Sequence, residues 1–234
     1  MPEIIPIDLG GVNAYLLVGE SGRILVDTGG HVSTDQQWTN RCGQLMDGLA
    51  AAGGTEDVNL IVLTHGHSDH ANNAAHLRER LGAKIAMHEA DRDLVENPTL
   101  ANWMDSHHYR EAALQQMFVR YKDIIARATL RALDEFTPFS PDLLIDDGFD
   151  LTPYGFPATV LHLPGHTAGS LAILSSTGDL IAGDLLANVD GPGLAPNADD
   201  FEQLAVGARR LKTLGVTTAY PGHGAPFLLA TARI

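Results

Sequence analysis

Residues 60 to 73 read LIVLTHGHSDHANN: four apolar residues and a threonine lead into His65, His67, Asp69 and His70. Imidazole nitrogens and carboxylate oxygens are the ligands of zinc and other first-row divalent cations, and rings crowded at the end of a buried strand are costly unless something satisfies them. His65 and His67 are two apart, a spacing that separates side chains on a helix but suits an extended strand end. Asp69 and His70 fall in the turn that opens the next helix. A metal site is the first chemistry these residues point to, and the other donors must come from elsewhere in the chain.

Three later apolar runs carry the same punctuation, in TVLHLPGHTAGS, LIAGDLL and TTAYPGHGAPF. Each puts one donor, His166, Asp184 or His223, just past the carboxyl end of an expected strand, where open α/β sheets collect their ligand sites. The set becomes His65, His67, His70, His166 and His223 with Asp69 and Asp184. That is about what two four- or five-coordinate cations need when they share a bridging carboxylate and a water.

The elements that must position these donors alternate. Strands are expected at EIIPIDL, NAYLLVGE and RILVDTGG, a helix over 36 to 52, a buried strand at LIVL, a helix from Ala71 to Leu81 closed by Gly82, and a strand at AKIAMH. The second half repeats the style, with strands in PATVLHL, SLAILSSTGDLIAGD and VTTAY and a helix across 200 to 212. Two such halves imply an α/β (α+β) chain, two mixed sheets stacked in the middle with helices on both outer faces, forming one domain over 1–234. Between the halves, residues 99 to 136 form a helical insert. Its stripe of Leu114, Met117, Phe118, Tyr121, Ile124, Ile125 and Ala128 is expected to be the buried face of a helix, the alternatives being a lid over a pocket or a homodimer contact.

Charge and composition narrow the partners. The 15 basic and 29 acidic residues give 15 − 29 = −14, which excludes the clustered cationic surface that nucleic acid needs. No apolar run approaches the roughly 20 residues of a membrane span, and MPEIIPIDLGG has neither a basic start nor an apolar signal core, so a cytoplasmic protein acting on a small molecule is expected. Cys42 recurs with Trp38, Leu45, Met46 and Leu49 at helical spacing and reads as a buried core thiol, not a nucleophile or ligand. His31, His76, His88, His107, His108 and His162 read as surface or hydrogen-bonded core residues, with His162 placed to orient the loop that follows it.

The four motifs taken in order, H-x-H-x-D-H at His65 to His70, PGHT around His166, the Gly183–Asp184 pair and PGHG around His223, resemble the metallo-β-lactamase superfamily in its glyoxalase II-like hydrolase branch. The resemblance runs from NAYLL near Asn13 through VDTGG to the end, leaving only the insert uncovered. It implies an αββα sandwich. It assigns His65, His67 and His166 to one metal and Asp69, His70 and His223 to a second, with Asp184 bridging. Asp27 would steady the metal loop from behind.

Such a site implies two divalent ions, zinc foremost, with iron or manganese as the other options. A cation pair lowers the pKa of a bound water from about 16 toward about 7, so that hydroxide exists at neutral pH to attack an electrophilic carbonyl. Asp69 would orient that nucleophile and carry its proton toward the leaving group, the catalytic role the resemblance implies. Thioesters, lactones or related esters fit best, with the insert over an apolar acyl group. Glyoxalase II enzymes proper carry a C-terminal helical extension with basic residues, absent here, which argues against a glutathione thioester; a secreted β-lactamase lacks the bridging aspartate. The alternatives are a mononuclear iron dioxygenase acting on persulfides and a metal-binding protein without catalysis.

Overall fold

The computed structural model describes residues 2–34, 37–105 and 108–234. The chain runs β1 (Glu3–Asp8), β2 (Asn13–Val18), β3 (Arg23–Val26), β4 (His31–Thr34), β5 (Gln37–Asn40), α1 (Cys42–Ala51), β6 (Val58–Val62), α2 (Ser68–Ala71), α3 (Ala74–Leu81) and β7 (Lys84–Met87). It continues through α4 (Arg92–Glu96), α5 (Leu100–Asp105), α6 (Ala112–Glu135), β8 (Leu143–Leu144), β9 (Ala158–His162), β10 (Leu171–Ser175), β11 (Asp179–Asn188), β12 (Gly193–Leu194), α7 (Phe201–Leu211), β13 (Thr218–Gly224) and β14 (Phe227–Leu228).

The strands build two mixed six-stranded sheets, one in the order β1-β2-β3-β6-β7-β8 and one in the order β14-β13-β11-β10-β9 with β12 added on β11. Each strand distributes its apolar side chains by the two-residue period of extended chain. Tyr15, Leu17, Ile24, Val26, Leu60 and Val62 of the first sheet meet Val160, Leu171, Ile173 and Ile181 of the second in a core between the sheets. The alternate residues Leu16, Leu25, Ile61 and Ile85 face Leu45, Leu49 and Leu77 of the helices on one outer side. Leu161, Ala172 and Leu180 face Leu204, Ala208 and Leu211 of α7 on the other. The result is the expected αββα sandwich.

Four local expectations need correction. The helix expected over 36 to 52 begins only at Cys42, because residues 37–40 form β5 and pair with β4. Cys42, at the first residue of that helix, is half-buried rather than a core residue, and burial raises its thiol pKa. The helix expected from Ala71 to Leu81 is split at Asn72 and Asn73, where the Asn73 amide donates to the Thr28 carbonyl (2.9 Å); its end at Gly82, in the left-handed conformation that an L side chain resists, is as expected. The stripe on α6 is not a buried face: Met117, Tyr121 and Ile124 are 54%, 42% and 53% exposed, and only Ala128 and Ala132 are buried. The helix joins the core from Ala132 and Leu133 onward, and most of its earlier turns stay exposed or half-buried.

Candidate metal centre

Both sheets deliver donors to one end of the sandwich. The loop leaving β6 carries His65 and His67, α2 carries Asp69 and His70, and the loop between β9 and β10 carries His166. Asp184 and His223 lie within β11 and β13, not beyond their ends as expected. The two strands pair in parallel, but their register shifts between Ile181 and Gly183 and again between Gly183 and Ala187, which turns Asp184 out of the ladder. Gly183 takes φ 49°, and a Cβ there would lie 2.8 Å from the Thr64 Cβ, so close approach of the two sheets requires glycine.

All seven expected donors converge. The ligating atoms of His65, His67 and His166 lie within 4.8 Å of one another, as do those of Asp69, His70 and His223. Asp184 stands between the groups: Oδ1 is 3.5 Å from His70 Nε2, and Oδ2 is 3.5 Å from His166 Nε2 and 3.2 Å from His223 Nε2. Asp69 Oδ2 is 3.4 Å from His223 Nε2.

The surroundings fix which ring nitrogen faces inward. His70 Nδ1 is 2.8 Å from Asp27 Oδ2, His166 Nδ1 donates to the Asn197 carbonyl (3.0 Å), and His223 Nδ1 donates to the Gly11 carbonyl. Each contact leaves Nε2 aimed at the shared space, the arrangement metal-ligating histidines adopt. Asp27 is 1% exposed and also accepts from the Thr64 amide and hydroxyl, both at 2.8 Å. Further back, Asn13 and Tyr15 donate to the Pro221 carbonyl and hold the strand that carries His223.

The electrostatics are those of a donor cluster awaiting positive charge. Burial, together with the neighbouring rings, drives His65 well below the ordinary histidine value and His67 down to about 3. Burial also opposes a charged His70, but Asp184, Asp69 and Asp27 outweigh it and raise the ring to about 9; His223 is raised in the same way by Asp184 and Asp69. Burial would lift Asp69 and Asp184, yet the facing imidazoles hold both carboxyls well below their usual range. His65 Nε2, His70 Nε2 and Asp184 Oδ1 are buried without any hydrogen-bond partner. Three orphaned atoms so close together are expensive unless a cation satisfies them, and imidazole with carboxylate is a donor set that zinc, iron or manganese accepts. The residues fit a metal.

The other histidines behave differently. His31 Nε2 lies 2.9 Å from Glu135, His76 and His108 are exposed, and His107 lies outside the described residues. His88 and His162 stack at 3.9 Å beside Asp146. That trio is a weak metal site, since Asp146 is 74% exposed and His88 Nδ1 accepts the Ala90 amide, which leaves the proton of the neutral ring on Nε2. His162 Nε2 donates to the Ala168 carbonyl and so tethers the His166 loop.

A cavity of about 370 Å³ opens on the donors. His67, Asp69, Asp184 and His223 form its floor, while Trp103 of α5, Tyr109, and Ile125, Thr129 and Ala132 of α6 form a wall. Sequence reasoning missed one buried group behind the His65, His67 and His166 loops, Asp91 in HEADRDL. Its carboxylate accepts from the amides of Gly66 and Gly169 and the hydroxyl of Thr167. The sequence signal available was glycine near these ligands, Gly66 between His65 and His67 and Gly169 three residues after His166, each a place where another group comes close.

Comparison with known proteins agrees with this geometry. The family model for the metallo-beta-lactamase superfamily matches residues 7–223. The beta-lactamase-like protein 2 homolog of Caenorhabditis elegans is 25% identical over 94% of this chain, which spans 58% of that relative's length. Hydroxyacylglutathione hydrolase GloC of Haemophilus influenzae is 27% identical over 95% of this chain and 90% of its own. The crystal structure of a metallo-beta-lactamase family protein from Thermus thermophilus superposes with a TM-score of 0.68 at 28% identity, covering 97% of this chain and 74% of that one. The sandwich, the ordered motifs and these matches together make the chain a member of the metallo-beta-lactamase superfamily.

Proposed function

We propose that the protein is a dinuclear metal hydrolase, with zinc the favoured ion, that cleaves a thioester, lactone or related ester. The observation that carries this reading is the pair of three-donor groups with Asp184 between them. His65, His67 and His166 would hold one ion, Asp69, His70 and His223 the other, and Asp184 both. Two bound divalent cations lower the pKa of water toward about 7 and withdraw electrons from a carbonyl oxygen. The second donor group favours this reading over a mononuclear iron dioxygenase.

The chain's own residues do the rest. Asp69, a third exposed at the cavity floor and held ionised by His70 and His223, orients the attacking water and accepts its proton for delivery to the leaving group. Trp103, Ile125 and Ala132 offer an apolar surface to the acyl portion, so the insert acts as a lid in this reading. The hydroxyacylglutathione hydrolase relative supports a thioester among the substrates.

The test is a panel of thioesters, lactones, phosphodiesters and β-lactams on metal-quantified protein. The thioester and lactone classes should turn over fastest, with two ions per chain. Asp184→Asn should lower both metal content and rate; two retained metals with full rate would contradict the bridge.

A further inference from the structure

We infer that Asp91 is the positioning residue of the His65, His67 and His166 half of the centre, and that it leaves the other half untouched. The inference rests on the reading that the seven donors hold two cations.

Asp91 is 1% exposed and ends a single helical turn, Glu89–Asp91, that follows β7. Its Oδ2 accepts the Gly66 amide at 2.9 Å and the Thr167 hydroxyl at 2.7 Å, and its Oδ1 accepts the Gly169 amide at 2.7 Å. Gly66 lies between His65 and His67, and Thr167 directly follows His166. Every ligand of that half is therefore one residue from a donor to Asp91. The glycines record how closely the acid approaches. A Cβ on Gly169 would lie 2.6 Å from the Asp91 carboxylate, and one on Gly66 would lie 2.7 Å from Leu94 and 3.1 Å from the Asp91 carbonyl.

Asp27 meets the other half directly and reaches the first only through Thr64, whose hydroxyl lies 3.0 Å from His65 Nδ1. Its carboxylate meets His70 Nδ1, and the Thr28 amide next to it donates to the His70 carbonyl at 2.7 Å. None of the hydrogen bonds to Asp91 reaches Asp69, His70 or His223. Two loops from opposite sheets, carrying residues 66 and 167, are thus pinned by one carboxylate into a preformed three-histidine face. Three donors converge on its two oxygens. An asparagine offers a single oxygen, so Asp91→Asn turns an amide N–H₂ toward at least one of them and releases one loop.

The experiment is a two-step Zn²⁺ titration of the full chain against a competing chelator, with Co²⁺ absorption to identify which donor set fills. Asp91→Asn should weaken one step about 10- to 100-fold, as loss of a group supporting metal ligands typically does, and leave the other within threefold. Asp27→Asn, which touches His70 directly, should weaken chiefly the step that fills Asp69, His70 and His223. A general loss of packing would move both together. Thr167→Val, nearly the same shape and lacking one donor, should weaken the same step as Asp91→Asn by a smaller factor, and covers the case in which Asp91→Asn does not fold. If wild type takes two ions and Asp91→Asn and Thr167→Val weaken both steps equally or neither, the assignment is overturned while the dinuclear reading stands. If wild type takes fewer than two, both fall.

Discussion

Gly222, within the PGHG motif, offers a one-methyl perturbation of the centre. It is buried, and its φ lies outside the left-handed region, so alanine suits the backbone. Its Cβ, however, would lie 2.0 Å from Asp184 Oδ1 and 2.8 Å from His70 Cε1, where ordinary contact begins at 3.4 Å. The Asp184 carboxylate must retreat by 3.4 − 2.0 = 1.4 Å. That is enough to break at least one of its approaches to His70, His166 and His223, which now span 3.2 to 3.5 Å. Misplacing a reacting constellation by about 1 Å costs on the order of 100-fold in rate, or about 2.7 kcal/mol of barrier. Gly222→Ala should therefore lose about two orders of magnitude in kcat/KM on the best ester or thioester and bind metal more weakly. A cooperative thermal transition in chelator would show the fold intact. Full metal content with a rate within threefold of wild type would refute the reasoning, because it would mean the carboxylate position does not matter.

Metal-free protein should lose stability as pH rises from 6.5 to 9: His70 has a folded pKa of about 9 against 6.5 for an unperturbed ring, so the protonated form stabilises fully below 6.5 and that contribution disappears through 9. His223 shifts in the same direction, while His65 and His67 titrate below this window. A melting point in chelator that is flat or rising across the window would contradict the ion-pairing scheme. Ile125→Ala, which removes apolar surface from the cavity wall, should raise KM for long acyl substrates about tenfold, from roughly 1.4 kcal/mol of lost burial, and leave short ones unchanged; equal effects on both would remove the lid.

Much of this centre was legible because its donors come in short local motifs. A histidine or aspartate beside glycine at the end of an apolar run marks itself, and five such residues in four places, with Asp69 and His70 close behind the first, left little choice of where the chemistry lies. The position of Asp184 and His223 inside paired strands was not legible, because a register shift is a property of the pairing between β11 and β13 and not of either segment. Asp91 was hidden for the same reason: in HEADRDL it looks like any acid near a helix start, and its meaning comes from partners 25 and 76 residues away. Residues 37–40 read as helix because Cys42, Leu45 and Leu49 extend a helical period back to Trp38, and only pairing with β4 overrides it. The α6 stripe has the right period, but periodicity cannot tell whether any other element covers that face.

Of the seven donors, four come from the chain before the insert and three from after it, carried on different sheets. A cation gripped by both ties the layers together in the way a cross-link does, and its removal leaves repelling or unsatisfied groups at their shared end. Cells short of the ion would then lose more than turnover: the opened chain would be exposed to proteolysis, and the amount of protein would follow the supply of its metal.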